Sequence, residues 1–471
     1  MSTQRKQTSG TELTRRKILS YGLYGGLTAS LSPGLWLSGC SRQDHAKRPN
    51  VILISIDTLR ADHLGCYGYD RPTSPAIDEF ASHSMLFEDT MATSPWTLPS
   101  HASLLAGLYP NRHGLKSWNN LPTLNIKMLA AILKEHGFST SAVVNSYCLS
   151  GRYGLNLGFD DFVYVKELLA QRTPSKVNDE ALRWLRRRSE PFFLFLHYYD
   201  VHSDYRSLPR YEEQFVRPYK GTANGTTRQL LNFRMGRVEF DGAAADHLID
   251  LYDASIRQMD DAVTKLLEFL KNEKLLEKSV VIITSDHGEE FLDHGGVLHS
   301  QTQYQELLDI PLIMCGPGIP KGKRSGSTVS LVDVMPTILS LLGIAVPASL
   351  DGLDLCPLFQ EDNPVLAPRY IFAGASKVTS PAKRIKYHDI KRAVRYSRYK
   401  LHYDKLTRET LLYDLLHDPK ERTNIASDHR ALVNSMLVRL GSYMDVDRTR
   451  APLPPLSPKQ IRKLRSLGYI N

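Results

Sequence analysis

The sequence predicts an α/β fold in which helices sandwich a mostly parallel sheet, with a small C-terminal α+β subdomain. Three continuous apolar, β-branched runs are typical of strands buried on both faces, at residues 51–56, 192–196 and 280–284. Apolar residues recur at helical spacing between residues 248 and 270, which indicates a helix with one core-facing stripe. Helical patterns at 125–136 and 331–342 also separate the strands, and this alternation predicts a sheet covered on both sides.

The pattern changes from about residue 366 onward. Residues 395–401 and 411–415 alternate between apolar and polar side chains, which favours antiparallel strands. We therefore expect a main domain over residues 49–365 and the C-terminal subdomain over 366–471, after an N-terminal segment (1–39) and a linker (40–48).

The composition is that of a globular protein. The 471 residues are 42% hydrophobic and 23% charged, which excludes a disordered or fibrous chain. There are 59 Lys and Arg against 50 Asp and Glu, a net charge of +9. That excess is too small for a dedicated nucleic-acid surface on a chain of this length, so we expect no nucleic-acid partner. The sequence does not determine the oligomeric state.

Residues 1–39 have the pattern of an export signal. Residues 14–20 read Thr-Arg-Arg-Lys-Ile-Leu-Ser, a twin-arginine export pattern, and a mildly apolar, Gly-rich stretch follows. Residues 37–40 read Leu-Ser-Gly-Cys and resemble a bacterial lipoprotein processing box, with Cys40 as the lipid attachment residue. This predicts an exported, periplasmic or cell-surface lipoprotein that contacts the membrane through its lipid anchor only. A plain secretory signal with an incidental cysteine is the alternative.

Polar side chains follow the three predicted buried strands. Asp57 ends the first strand, His197 the second, and Asp286 with His287 the third. The carboxyl ends of parallel strands meet at one edge of a sheet, so we expect these side chains to converge. Two carboxylates and an imidazole suit a divalent cation, although an Asp at a strand end is also a common helix cap.

A hydroxyl stands at the start of an apolar helix after residue 96. Unpaired N–H groups at a helix start stabilise an anion, and a hydroxyl there can bind a metal and act as a nucleophile. Thr97 is in that position, shortly before Pro99. The alternative is that Thr97 or Ser100 serves only as an N-cap.

Several segments together resemble the sulfatases of the alkaline phosphatase superfamily. They occur in the family's order between about residues 49 and 430, at 55–62, 97–107, 109–114, 284–289, 310–313 and 412–424. The resemblance implies an ester hydrolase acting on an anionic ester, with residues 49–365 as its catalytic domain and Thr97 as nucleophile. It implies one divalent metal ion, which the donor set allows to be calcium, manganese or zinc, held by Asp57, Thr97, Asp286 and His287.

The resemblance also implies roles for other polar residues. His101 stands where the motif has Arg, and His202 matches the active-site histidine that contacts the transferred group or protonates the leaving oxygen. Asn145 and His299 lie near positions that bind the substrate's sulfate group in the family. Asp200, His202 and His299 are an alternative set that holds a second metal. We interpret Glu289 and Glu290 as a solvated loop face.

Thr97 departs from the family in a way that affects the substrate. Sulfatases oxidise a Cys or Ser at this position to formylglycine, and threonine cannot form that aldehyde because its β-carbon bears a methyl group. An unmodified Thr must form an ester intermediate that water or another acceptor attacks. This favours phosphate or phosphonate esters over sulfate esters. The alternatives are a phospho-group transferase and a non-catalytic exported binding protein.

Overall fold

The computed structural model describes residues 48–118, 120, 122, 126–166, 175–360, 365–380, 385–444, 457–459 and 462. The predicted signal and most of the linker, including Cys40, lie outside the described residues. Within the described part of the chain, no helix combines the length and the apolar character that crossing a bilayer requires.

The described strands form one large sheet, a four-stranded sheet and three two-stranded ladders. In chain order the strands are β1 (Asn50–Ile56), β2 (Met85–Phe87), β3 (Thr90–Met91), β4 (Ser139–Val144), β5 (Asp161–Tyr164), β6 (Phe192–Tyr198), β7 (Ser279–Ser285), β8 (Glu290–Phe291), β9 (Val297–Leu298), β10 (Leu312–Cys315), β11 (Lys323–Ser325), β12 (Val329–Ser330), β13 (Tyr370–Ala373), β14 (Lys377–Ser380), β15 (Ile385–His388), β16 (Lys391–Tyr396), β17 (Tyr399–Asp404) and β18 (Thr410–Asp414).

The α-helices lie between these strands and after them. In chain order they are α1 (Pro75–Ser82), α2 (Thr97–Ala106), α3 (Pro110–His113), α4 (Leu129–Glu135), α5 (Ser175–Leu185), α6 (Pro209–Phe215), α7 (Thr227–Arg234), α8 (Ala244–Asn272), α9 (Gln305–Leu308), α10 (Val334–Leu341) and α11 (Arg430–Met444). The helix predicted over 125–136 is shorter than expected and begins only at Leu129.

The large sheet has the order β11-β2-β10-β7-β1-β6-β4-β5. Only β10 runs antiparallel to its neighbours, β2 and β7, and the other pairings are parallel. The three strands predicted from their apolar runs, β1, β6 and β7, lie side by side at its centre. The predicted mostly parallel sheet is therefore confirmed.

Helices cover both faces of this sheet. Successive side chains of a strand point to opposite faces, and in β1 Val51 and Leu53 pack into one core cluster while Ile52 and Ile54 pack into another. The first cluster contains residues of α2, α4 and α10, and the second contains residues of α1, α5 and α8. The continuous apolar pattern of β1 thus reflects burial on both sides, as the sequence predicts.

A separate antiparallel sheet follows in the order β13-β16-β17-β18, and α11 packs on it. Its core contains Val394, Leu401 and Leu412 from the strands and Met436 and Leu440 from the helix. The predicted small C-terminal α+β subdomain is confirmed, and we use "C-terminal subdomain" for this sheet, α11 and the β14-β15 hairpin.

A buried charge cluster links this subdomain to the first residue of α9. Glu421 accepts hydrogen bonds from Lys400 Nζ at 3.2 Å, from His402 Nε2 at 2.8 Å and from the Gln305 backbone N–H at 2.7 Å. Burial raises the pKa of Glu421, but the charges of Lys400 and His402 outweigh it and bring the pKa down to about 2. A carboxyl with a depressed native pKa stabilises the fold above its unfolded pKa of 4.5, and that stabilisation is lost as the pH falls towards 2.

We expect Glu421→Gln to lower the free energy of unfolding at pH 7 by about 3–5 kcal/mol, because it leaves the buried Lys400 ammonium without its counter-charge. The deficit should shrink as the pH falls from 4.5 towards 2, because in that range the Glu421 carboxyl of the unfolded chain binds a proton more readily than the native carboxyl does. Urea denaturation at several pH values measures both effects, with the exposed Glu409→Gln as the control. A deficit of the same size at pH 3 and pH 7 would contradict the assignment.

Candidate active site

The carboxyl ends of β1, β6 and β7 form the floor of the site. Ile56 of β1 is in register with Tyr198 of β6 and Ser285 of β7, so the three strands end at one level. The Asp57 backbone N–H continues the ladder and donates to the Tyr198 carbonyl at 2.8 Å. Thr58 then turns the chain with a φ of +59°, a left-handed conformation that is uncommon for a non-glycine residue. The convergence predicted for Asp57 and Asp286 is what this register produces.

Asp286 divides its two oxygens between the backbone and the site. Its Oδ1 accepts the backbone N–H groups of Thr58 at 3.2 Å and His287 at 3.0 Å. Its Oδ2 makes no hydrogen bond to the described residues, although His101 Nδ1 and His287 Nε2 each lie 3.3 Å away. Burial raises the pKa of Asp286, but the neighbouring imidazoles of His287 and His101 outweigh it and hold the pKa well below its usual value.

The imidazole of His287 has a fixed orientation. Its Nδ1 donates to the Gly288 carbonyl at 2.8 Å, since a carbonyl oxygen can only accept. Its Nε2 therefore carries the lone pair, and it lies 3.7 Å from Asp57 Oδ1 and 3.4 Å from Thr97 Oγ1. Gly288 allows a close approach, because a Cβ there would lie 2.0 Å from the Glu306 carbonyl oxygen.

These side chains have the chemistry of a divalent cation site. One ligand atom each from Asp57, Asp286 and His287 lies within 4.8 Å of the others, and all three residues are fully buried. Two desolvated carboxylates this close repel each other unless a cation lies between them. The lone pair of a histidine whose other nitrogen is hydrogen-bonded is the usual imidazole ligand. The residues fit a bound metal ion.

Thr97 is the first residue of α2, and its hydroxyl faces this cluster. Trp96 occupies the N-cap position, and no side chain caps the helix there. Ser100 instead donates its hydroxyl to the Asp286 backbone carbonyl at 2.6 Å. The alternative that Thr97 or Ser100 caps the helix is therefore wrong, and the hydroxyl of Thr97 stands beside His287 Nε2.

His101 lies beneath Thr97. Its Nδ1 donates to the Thr97 carbonyl at 2.9 Å, and its Nε2 accepts the hydroxyl of Ser55 at 2.9 Å. This imidazole is fully buried and connects the helix that carries Thr97 to strand β1.

His202 and His299 flank the cluster on another side. His202 Nδ1 donates to the Ser203 carbonyl at 2.7 Å, and Tyr199 donates its hydroxyl to His202 Nε2 at 3.1 Å. The ring of His299 lies 4.8 Å from that of His202 and 4.5 Å from that of His287, between ring centroids. Burial, first, and then the charge of His287 lower the pKa of His299 well below its usual value.

The interpretation of Glu289 and Glu290 as a solvated loop face is wrong. Both residues are buried, and Glu289 Oε1 accepts a hydrogen bond from His299 Nδ1 at 2.9 Å. Burial raises the pKa of the Glu289 carboxyl to about 8. The loop folds back over the sheet edge because Arg60 donates to the Glu289 carbonyl at 3.1 Å, a tertiary contact that the local sequence does not show.

The sequence places His197 at the edge of the sheet but assigns it no role in the site. It lies inside β6, one position before the strand ends. Its Nδ1 donates to Asn145 Oδ1 at 3.1 Å, and its Nε2 lies 3.2 Å from Asp57 Oδ2. Asn145, predicted to contact substrate, thus also orients His197. The apolar residues around His197 in β6 could have indicated this role, because a histidine inside a buried strand requires a polar partner.

The alternative second-metal set does not assemble in the same way. Among the described residues, the group Asp57, Asp286 and His287 brings three ligand atoms within 4.8 Å of one another, and Asp200, His202 and His299 do not.

Comparison with known families gives this geometry a context. The family model described as Sulfatase matches residues 49–344, which is more than half of the chain. The chain belongs to the sulfatase family. The family model described as N-sulphoglucosamine sulphohydrolase, C-terminal, matches residues 293–444. The chain is therefore a sulfatase-family ester hydrolase, as the motifs predicted.

Individual relatives are distant but extensive. Human arylsulfatase K is 25% identical over an alignment covering 93% of this chain and 90% of the relative. The Delta 4,5-hexuronate-2-O-sulfatase of Bacteroides thetaiotaomicron is also 25% identical, covering 86% and 92%.

Solved structures share the family's fold. One, in complex with its substrate D-glucosamine-2-N,6-O-disulfate, has a TM-score of 0.70 at 19% identity and covers 85% of this chain and 99% of its own. The phosphonate monoester hydrolase of Agrobacterium radiobacter has a TM-score of 0.68 at 21% identity, covering 88% and 99%.

We expect the protein to bind a divalent metal in stoichiometric amount, and Asp286→Asn or His287→Ala to abolish that binding. Chelation should also lower the Tm of the wild type, because it leaves two buried carboxylates facing each other. Equilibrium dialysis with elemental analysis measures the bound ion. Glu79→Gln, which removes an exposed carboxylate, is the control. Stoichiometric metal in the Asp286→Asn protein would contradict this site.

Proposed function

We propose that the protein hydrolyses phosphate or phosphonate esters in preference to sulfate esters, through a covalent intermediate on Thr97. The observation that carries the proposal is the unmodified hydroxyl of Thr97, which lies 3.4 Å from His287 Nε2 beside two buried carboxylates. A phosphoryl group on threonine can be removed by in-line attack of water. Phosphonate cleavage by a solved protein with this fold is compatible with that chemistry.

The metal would be held by Asp57, Asp286 and His287, with the Thr97 hydroxyl beside them. When bound, a divalent cation lowers the pKa of that hydroxyl and balances the charge of the transferred group. Calcium, manganese and zinc all accept carboxylate ligands, and the imidazole favours manganese or zinc.

The chain's own residues then account for the bonds and protons. Thr97 Oγ1 forms a bond to phosphorus as the bond to the leaving oxygen breaks, and His202 in its protonated form delivers a proton to that oxygen. The hydroxyl proton of Thr97 passes to His299 Nε2, whose partner nitrogen Nδ1 is held by Glu289. Water next attacks phosphorus and gives a proton to His202, while the bond from phosphorus to Thr97 Oγ1 breaks and His299 returns its proton to that oxygen. Phosphate then leaves, and both histidines are back in their starting protonation states. His101 keeps Thr97 in place by donating a hydrogen bond from Nδ1 to the Thr97 backbone carbonyl.

We also propose that the protein works outside the cytoplasm as a lipid-anchored enzyme. The twin-arginine pattern at residues 14–20 and the processing box ending at Cys40 support this. An anchored enzyme meets substrates at the cell surface or in the periplasm. Mass spectrometry of the mature protein tests the anchor, because a lipid-modified N-terminal Cys40 is expected.

Thr97→Ala should reduce turnover by a factor on the order of 10³ or more while the fold persists, and Thr97→Ser should keep part of the activity. The assay compares an aryl sulfate, a phosphate monoester, a phosphodiester and a phosphonate monoester, each with calcium, manganese and zinc. Radioactive phosphorus from the monoester should label Thr97 in an acid-quenched reaction. Faster turnover of the sulfate ester would overturn the substrate preference, and full activity of Thr97→Ala would overturn the nucleophile.

His202→Asn should slow esters with poor leaving groups, such as alkyl esters, by about 10²–10⁴, and nitrophenyl esters far less. The reason is that nitrophenolate leaves without a proton, whereas an alkoxide needs one. The ratio of the two rates in the variant and in the wild type measures the effect. Equal losses for both leaving groups would show that His202 positions the substrate and does not act as the acid.

A further inference from the structure

The catalytic domain presents imidazole side chains, and not permanently charged groups, to the substrate. The positions that carry Arg and Lys in the family hold His101 and His299 here. Arg60 lies close by, but its guanidinium is bound to Asp62 at 2.7 Å and to Asp293 at 3.1 Å. Arg234 donates to the backbone carbonyls of Val297 and His299. Apart from the metal ion that the site would hold, a further positive charge for an anionic ester would therefore come from another part of the chain.

That charge comes from the C-terminal subdomain. Lys377 begins strand β14, and its backbone N–H donates to the Ser300 carbonyl at 2.7 Å, so it lies directly beside His299. The residue is only 7% exposed. Its Nζ lies 5.5 Å from the ring centroid of Trp96, the residue before Thr97, and 4.9 Å from that of Trp118.

We propose that Lys377 is the residue that anchors the anionic group of the ester in this site. The inference rests on the proposed function, since it names the charge that holds that function's substrate. Lys377 lies between the segment that carries Thr97 and the loop that carries His299. Its ammonium group contacts a negatively charged oxygen of the ester.

The backbone around Lys377 is fixed to the catalytic domain. Trp96 donates its indole N–H to the Ala375 carbonyl, and the Gly374 backbone N–H donates to the Thr93 carbonyl at 3.0 Å. Ala375 has a φ of +57°, and its N–H is held by Asp389 Oδ1 at 3.0 Å. A strained residue that is held by hydrogen bonds on both sides fixes the positions of the residues that follow it, including Lys377.

The ammonium group of Lys377 would attract a bound anion. The two indole rings stabilise an ammonium group by cation–π contact, so a purely structural role is the competing explanation.

The test compares Lys377→Met, which keeps the apolar stem against the indole rings, with Lys377→Arg, which keeps the charge. Lys405→Met, an exposed lysine of the same subdomain, is the matched control. Calorimetric titration of the metal-loaded full-length protein with inorganic phosphate, sulfate and vanadate gives affinities without turnover. We expect Lys377→Met to weaken anion binding by about 10-fold or more and to raise KM similarly, with kcat changed far less. Lys377→Arg and Lys405→Met should bind as the wild type does.

Unchanged anion affinity in a folded Lys377→Met protein would overturn the inference, and so would a loss that Lys377→Arg does not restore. Lys377→Gln provides the same neutral substitution if the methionine variant fails to fold. The two proposals can fail separately. Weakened anion binding in a protein without turnover supports Lys377 and contradicts the hydrolase, whereas turnover with unaltered anion binding in Lys377→Met contradicts Lys377 alone.

Discussion

The shared level at which β1, β6 and β7 end is the constraint on which the site depends. Parallel register places Asp57 and Asp286 directly after two adjacent strands, where both carboxylates are fully buried. Burying two carboxylates costs free energy of desolvation. Backbone N–H groups, imidazoles and the capacity to hold a cation offset that cost here. The left-handed turn at Thr58 follows from the same constraint, because it aims the N–H of Thr58 at Asp286.

The site is rich in imidazoles, and they share one orientation. Each is held through its Nδ1, which donates to a carbonyl, amide or carboxylate oxygen and leaves Nε2 for the chemistry or for a second contact; the five are His101, His197, His202, His287 and His299. A fixed tautomer decides what a histidine can do. With the lone pair on Nε2, these rings suit metal ligation and proton transfer, and they do not replace the permanent charge of Arg or Lys.

The C-terminal subdomain therefore contributes more than stability. Its β14 strand brings Lys377 to the site, and the segment before β14 is hydrogen-bonded to the chain just before Thr97. A second connection is the buried Glu421 cluster, which ties the subdomain to the first residue of α9. In the proposed mechanism the catalytic domain supplies the reacting groups, and Lys377 of the smaller subdomain adds a positive charge for the substrate.

Local sequence by itself determined the mostly parallel sheet, its helical layers and the convergence of Asp57, His197 and Asp286, because apolar periodicity and strand-end positions encode these directly. It also placed Thr97 at a helix start. Tertiary structure alone decided the rest. Glu289 looked like a solvated loop residue and is buried against His299, and Lys377 showed no signal at all. Both depend on contacts between segments far apart in the chain, whose partners no local pattern identifies.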